Sequence, residues 1–434
     1  MRRRIAFGLA ALCGALAVAL GGSWSGEEAT ARPLASADLA GLVEQFSASS
    51  SGAVVRRLEA AVSRRPDDAR SLALLGLGYQ QLARETADAT WLSRAEDALD
   101  RAVELEPSDP VILSALAQLS VTQHRFREAV PLARRALRAD PGSALAHGSL
   151  GDALLALGRH EDAFRTYDAL AAQGPSVSAY ARVAEARRLL GRPEAALEAM
   201  ELAIEAGSTI PEQEAWALTR YGTLLVAAGE LTDASEAFRR ALVRVPGYVH
   251  AQAGLTRVAA ARGHFGAASS RLARVVERLP APEYAILLGD VLTRAGNARE
   301  AKEAYGVVRA LERILTANGV RTDLSTALFD LDRGERVHDA LARARAAYRA
   351  APGLSAADAV AWGLYRVGAC SGAREWSKRA LALGTKDGLF LFHRGMIERC
   401  LAGAAGGRPW FRRALEANPT FSLRWAPVAE RLAR

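Results

Sequence analysis

Seven of the 16 prolines in this 434-residue chain fall into one column when the sequence is cut into near-equal lengths. They are Pro107, Pro141, Pro175, Pro246, Pro280, Pro352 and Pro419, and the first three stand 34 residues apart. Proline lacks the amide hydrogen a helix interior needs and its ring clashes with the preceding turn, so a periodic proline marks a periodic helix end. The stretch "SLGDALLALGRHEDAFRTYDALAAQGP" (149–175) shows the rest of the unit: two apolar helical runs, a Gly in the first and an Ala twelve residues later. A chain built this way folds as stacked helix pairs, because no single pair can hide its apolar face alone.

Write the pair as helices A and B. Helix A carries a small-residue slot that reads Gly76, Ala117, Gly151, Ala184, Gly222, Thr256, Gly289, Leu328, Ala361 and Gly395. Helix B answers with Ala95, Ala129, Ala163, Ala196, Ala234, Ala268, Ala301, Ala340, Ala373 and Gly407. The two slots are expected to face one another and let the helices approach, with large side chains such as Leu99, Tyr167, Phe238, Tyr305 and Phe411 filling the space beside them. This gives about ten units over residues 68–420, a linker and N-terminal half-repeat over 32–67 that ends in the lone helix B "AVVRRLEAAVSRRP", and a C-terminal capping helix over 421–434. The seven extra residues in "QLARETADATWLSRAED" and the long junction around "GSTIPEQE" read as surface elaborations. After "YGVVRALERILTANGV" the proline is missing, which leaves two readings open: a hinge at Asn318 and Gly319, or a plain long helix.

Composition agrees with an all-α chain: half the residues are hydrophobic, and Ala, Leu and Arg dominate. Of the 56 basic residues only Lys302, Lys378 and Lys386 are lysines, a skew that a GC-rich genome explains. The net charge of +8 would suit a polyanion, but the 48 acidic residues are interspersed with the arginines and no basic block or aromatic interleaving is present. Nucleic acid is therefore not an expected partner.

The N-terminus has a separate logic. Arg2, Arg3 and Arg4 precede an uncharged run from Ile5 to Gly22 and a polar stretch from Ser23 to Glu28, the pattern of an export signal. Residues 1–31 read as a signal peptide or signal anchor, with Ala29-Thr30-Ala31 as the cleavage site if it is removed. Cys13 follows Leu12 in mid-run, which is wrong for lipidation. The basic start is expected in the cytoplasm and the remainder outside it, secreted or anchored to the outer side of the cytoplasmic membrane, with membrane contact only through an uncleaved N-terminal segment.

In "LLGLGYQQLA" and "ASEAFRRALVRVP" the unit resembles the tetratricopeptide repeat family, and through "LALGTKDGLFLFHRGMI" and "RRALEANPTFSLRWAP" it is similar to exported members from high-GC bacteria. The resemblance implies a right-handed superhelical solenoid of antiparallel helix pairs whose A helices line a concave face that binds a protein or peptide. In this register the candidate groove residues are Gln118, Asp152, Arg182, Glu185, Arg220, Arg257, Asp290 and Arg294, set against their reading as an ordinary solvated face. The Lys/Asn clamp with which some relatives grip a C-terminal carboxylate is missing from the equivalent slots.

Chemistry has little room. The chain holds no H-E-x-x-H, G-x-S-x-G or Walker A run, and His124, His160 and His264 fall in short turns between A and B, where polar residues meet water. No catalytic residue, metal site or cofactor is expected. The leading expectation is a non-enzymatic, exported interaction scaffold; the alternative is an accessory or regulatory subunit of an envelope or transport enzyme, and a weaker one, resting on the basic pI alone, is nucleic-acid binding. Beyond the signal segment stand two cysteines, Cys370 at the start of a helix B and Cys400 near the end of the next helix A, either bonded to one another or two small buried hydrophobes.

Overall fold

The computed structural model describes residues 51–434, so the export signal, its cleavage site and the linker up to residue 50 lie outside the described residues. Within 51–434 the chain is an all-α helical solenoid. A lone helix α1 (Ser51–Arg64) leads into unit 1, α2 (Ala69–Thr86) and α3 (Thr90–Leu105). Unit 2 is α4 (Pro110–Thr122) with α5 (Phe126–Ala139), unit 3 is α6 (Ala144–Ala156) with α7 (His160–Ala172), and unit 4 is α8 (Val177–Leu189) with α9 (Pro193–Gly207). Unit 5 is α10 (Pro211–Ala227) with α11 (Leu231–Arg244), unit 6 is α12 (Val249–Ala261) with α13 (Phe265–Arg278), and unit 7 is α14 (Pro282–Arg294) with α15 (Ala298–Ala317). Unit 8 is α16 (Asp323–Arg333) with α17 (Val337–Ala350), and unit 9 is α18 (Leu354–Arg366) with α19 (Cys370–Ala380). The tenth unit is one run, α20 (Gly388–Ala417), whose A and B parts are divided by non-helical backbone at Ala402 and Gly403, and α21 (Ala426–Ala433) closes the chain.

Local chemistry sets the boundaries. Each helix B that precedes a column proline ends two or three residues before it. Directly beyond the proline a short polar side chain restarts the fold: Asp109, Ser143 and Ser176 each accept hydrogen bonds from amides of the first turn of the next helix A. The turn from A to B needs left-handed backbone, supplied by glycine at Gly158, Gly191, Gly229, Gly263, Gly296 and Gly368.

A Cβ added at Gly76, Gly151, Gly222, Gly289 or Gly395 would strike Leu99, Tyr167, Phe238, Tyr305 or Phe411, the large residue one turn beyond the helix B small slot. The helix A glycine is a socket for that side chain, and in unit 10 the two small slots abut directly, a Cβ added at Gly407 standing 2.8 Å from the Gly395 carbonyl oxygen. The two insertions coincide with longer helices, α2 of 18 residues and α10 of 17, and their residues are largely exposed, Arg84, Glu85 and Thr86 in the first and Ser208 and Thr209 in the second. The cap is shorter than expected, since 418–425 is irregular and helix begins only at Ala426.

Candidate functional site

The eight candidate groove residues divide into two kinds. Asp152 and Arg182 are spent on one another: Arg182 donates through Nε at 2.9 Å and Nη2 at 2.7 Å to the two carboxylate oxygens, joining α6 to α8. The Tyr167 hydroxyl donates to the same carboxylate at 2.9 Å. Burial opposes the Arg182 charge, but Asp152 more than offsets it and the guanidinium pKa is raised. Glu185 is likewise occupied, accepting both arms of Arg188 within the same helix.

Asp290 repeats the arrangement. It accepts from the Tyr305 hydroxyl at 2.8 Å and from Arg333 Nη2 at 3.0 Å, and Arg424 of the C-terminal segment approaches to 3.9 Å. Burial raises its pKa against the pull of Arg333 and Tyr305. The sequence carried a signal for this: where the helix B large residue is Tyr, the residue 15 places earlier is Asp, and where it is Phe there is no acid there. A cleft of about 510 Å³ opens beside it between units 7 and 8, lined in part by Tyr305, Arg309, Phe329 and Glu335.

Arg220, Arg257 and Arg294 are exposed. The Arg220 guanidinium lies 6.0 Å from the ring of Trp216 and that of Arg294 lies 5.2 Å from the ring of Phe265, cation–π distances that leave outward nitrogens for a ligand. Arg257 keeps solvent contact while surrounding protein desolvates it enough to lower its pKa, against the raising effects of Tyr284 and Glu283. Gln118 is half-buried on α4. Arg84 and Glu85 at the end of α2 are exposed, and their charges act on Glu212 at the start of α10; burial, and then Glu212 and Glu85, raise the pKa of Tyr248 ahead of α12.

Other features escaped the sequence. Asp330 is fully buried and accepts from Arg309, Arg336 and Arg343, tying together α15, α17 and the turn before it. His393 and Asp358 form a fully buried pair, Nδ1 to Oδ2 at 2.8 Å, with Trp362 stacked on the imidazole at 4.1 Å. Cys370 and Cys400 are joined by a disulfide with Cα atoms 6.3 Å apart. The irregular C-terminal segment runs over the A-helix face. Leu423 packs into the cluster of Val249, Tyr284 and Leu287, and Trp425 donates to Asp332 at 3.1 Å. Among the described residues no group of three or more His, Cys, Asp or Glu is placed to hold a metal, and no helix is long and apolar enough to cross a membrane.

The sequence profile of the tetratricopeptide repeat family matches residues 114–178 and again 225–291. Solved structures similar to the chain include a thermophilic tetratricopeptide protein of Thermus thermophilus, 18% identical over 44% of this chain and 97% of that one, with a TM-score of 0.39. PilW, a type IV pilus biogenesis factor, is 20% identical over 46% of this chain and 92% of its own, with a TM-score of 0.39. Yeast Tom70 is 14% identical over 82% of this chain and 94% of its own, with a TM-score of 0.36. No curated protein matches the chain. With the proline period, the socketed helix pairs and two separate profile matches in hand, the chain belongs to the tetratricopeptide repeat proteins, whose helical arrays are protein-interaction scaffolds.

Proposed function

We propose that this chain is an exported, non-enzymatic scaffold that binds a protein or peptide on its A-helix face. The observation that carries the reading is the split among the candidate residues: Asp152, Arg182, Glu185 and Asp290 are committed within the fold, whereas Arg220, Arg257 and Arg294 present guanidinium groups on successive units 5, 6 and 7. Three such groups along one interior suit an extended ligand rich in carboxylates or main-chain carbonyls, which guanidinium forks bind bidentately. Export rests on the basic-then-apolar N-terminal pattern.

The test has two arms. A reporter active only outside the cytoplasm, fused after residue 434, is expected to be active; a silent reporter with the chain in the cytosol ends the export reading. Cross-linked capture from the native cells is compared between the natural chain and the Arg220→Glu/Arg257→Glu/Arg294→Glu variant. Captured protein is expected to fall sharply with helicity unchanged, and undiminished capture moves the binding surface elsewhere. Arg182 stays out of the variant, because reversing it would break its bond to Asp152 and report on stability.

A further inference from the structure

The turns between A and B in units 2 to 5 are each met by a second segment far along the chain, at a nearly constant offset. His124 Nδ1 lies 2.8 Å from the carbonyl oxygen of Arg321 and the Arg321 amide donates to the Gln123 carbonyl at 3.1 Å. A Cβ added at Gly158 would stand 2.6 Å from the carbonyl oxygen of Pro352, and one at Gly191 closer still to that of Gly384. Gly229 lies against Pro419, and Asn418 Nδ2 donates to the Val226 carbonyl at 3.0 Å across 192 residues of chain. Each step advances one unit on both sides. The end of unit 7 meets unit 2, and so on until the end of unit 10 meets unit 5. Of the two readings at Asn318 and Gly319, the structure has the plain long helix, α15 running 20 residues to Ala317, and the turn after it is docked, with Ser93 donating to Asn318 Oδ1 at 2.9 Å.

The same turn in other units lacks a partner of this kind. Gly263, Gly296 and Gly368 have the same left-handed backbone, and nothing stands within 4 Å of a Cβ added there. The seam is therefore a property of coiling, where one superhelical turn rests on the next. It is also thin. Leu315 and Val320 pack against the cluster around Val54, Leu72 and Leu92, and Leu423 against that of Val249 and Tyr284; between these the seam consists largely of turn-to-turn contacts such as Arg127 to the carbonyls of Arg349 and Ala350. A cavity of about 410 Å³ lined by Arg127, Val130, Leu157, Arg159 and Pro352 lies within it.

We propose that the solenoid is a coil latched shut along this seam, and that it opens there, without unfolding any unit, to admit a protein partner to the A-helix face. The admitted partner rests on the binding reading above, but the opening itself does not. Hydrogen bonds between turns contribute little each, whereas parting two neighbouring units uncovers a hydrophobic core, so the seam is the interface that yields first. The closed coil is expected to restrict large molecules at Arg257 more than small ones.

Matched glycines provide the test, which needs no partner. Gly158→Ala/Gly191→Ala and Gly263→Ala/Gly296→Ala carry the same left-handed penalty, but only the first pair pushes into the seam. In each background, and in the natural chain, Arg257→Cys is labelled with a small maleimide and with one bearing a long polymer, read on the peptide containing position 257. Val243→Cys, a position 79% exposed on α11, is the open reference. In the natural background the polymer label is expected to lag at 257 relative to 243. The seam double is expected to raise the polymer-to-small rate ratio at 257 by about tenfold over the control double, and to enlarge the maximum dimension in small-angle scattering. Arg127→Ala/Asn418→Ala removes seam hydrogen bonds without touching a glycine, and moves both readouts the same way by less. Equal polymer labelling at 257 and 243 in the natural background, or no difference between the seam variants and the control double, overturns the latch.

Discussion

Units 3 to 5 and units 8 to 10 reach the same helix-pair geometry by different means. In the former, the buried polar side chains are hydroxyls, Ser143, Ser149, Thr219 and Ser235, and glycine sockets hold Tyr167 and Phe238. In the latter, charged groups go inside: Asp330, Asp358, His393 and Glu398 are buried, an aromatic cluster gathers Trp362, Phe392, Phe411 and Trp425, and a disulfide crosses from α19 to α20. The change coincides with the one large residue in the helix A slot, Leu328 in unit 8. There α16 shortens to 11 residues, and the Asp330 carboxylate two places on gathers arginines from flanking elements. The lesson is that the repeat packs by side-chain volume while its column is intact, and that when the column fails, charge takes over part of the task.

The sharpest way to break the comparison is Asp330→Ala. Removing a buried carboxylate leaves three guanidiniums facing one another, so a loss of about 3–5 kcal/mol is expected in units 7 to 9, read as faster amide exchange in α15 to α17 with units 2 to 5 unaffected. A uniform loss along the chain would mean the two halves unfold as one. Reduction of Cys370–Cys400 comes next. Its 30-residue separation predicts roughly 3 to 4 kcal/mol from chain entropy, confined to the last two units, and denaturant melts with and without reductant measure it.

Gly151→Leu probes the other half. The added side chain must displace the Tyr167 ring, with an expected loss of about 1 to 3 kcal/mol, while His160→Ala on the neighbouring turn changes little. Equal stability of both variants in urea would remove the socket as the organising contact. The smallest effect is one of pH. Burial lowers the pKa of His393, but Asp358 raises it more, so the net shift is upward from 6.5. A raised pKa contributes stability that is fully present below 6.5 and is lost as pH rises through the folded value. Glu398 mirrors it: burial pushes its pKa up, Arg374 and Arg394 pull it down further, and the resulting stability is present above 4.5 and lost as pH falls. Units 9 and 10 should therefore melt more readily as pH rises from neutral, and His393→Gln should flatten that limb; a limb unchanged by the substitution assigns the effect elsewhere.

How much of this could be read beforehand follows from range. The proline column, the caps at Asp109, Ser143 and Ser176 and the alternation of small and large residues all act within one unit or between neighbours, and the fold was legible from them. That Gly151 receives the Tyr167 ring itself is not legible in the columns, because two columns one helical turn apart are interchangeable until the crossing is known. Asp152 and Arg182 looked like free groove residues because a one-unit listing does not show that α6 and α8 place them in contact. The seam was out of reach altogether. It depends on the rotation accumulated over more than five units, and no column of residues encodes a sum of small angles.

The disulfide has a mechanical side as well. A chain pulled from its two ends transmits tension through covalent bonds, and the bond between Cys370 and Cys400 diverts that tension around the residues between them. The first half of α20, with His393 in it, then bears no load when the rest of the solenoid is drawn out. Since an extended residue spans roughly 3.3–3.6 Å, the oxidised chain reaches its limit about 100 Å short of the reduced one. Residues 371–399 are withheld from extension for as long as the bond stands, whatever force the ends of the chain transmit.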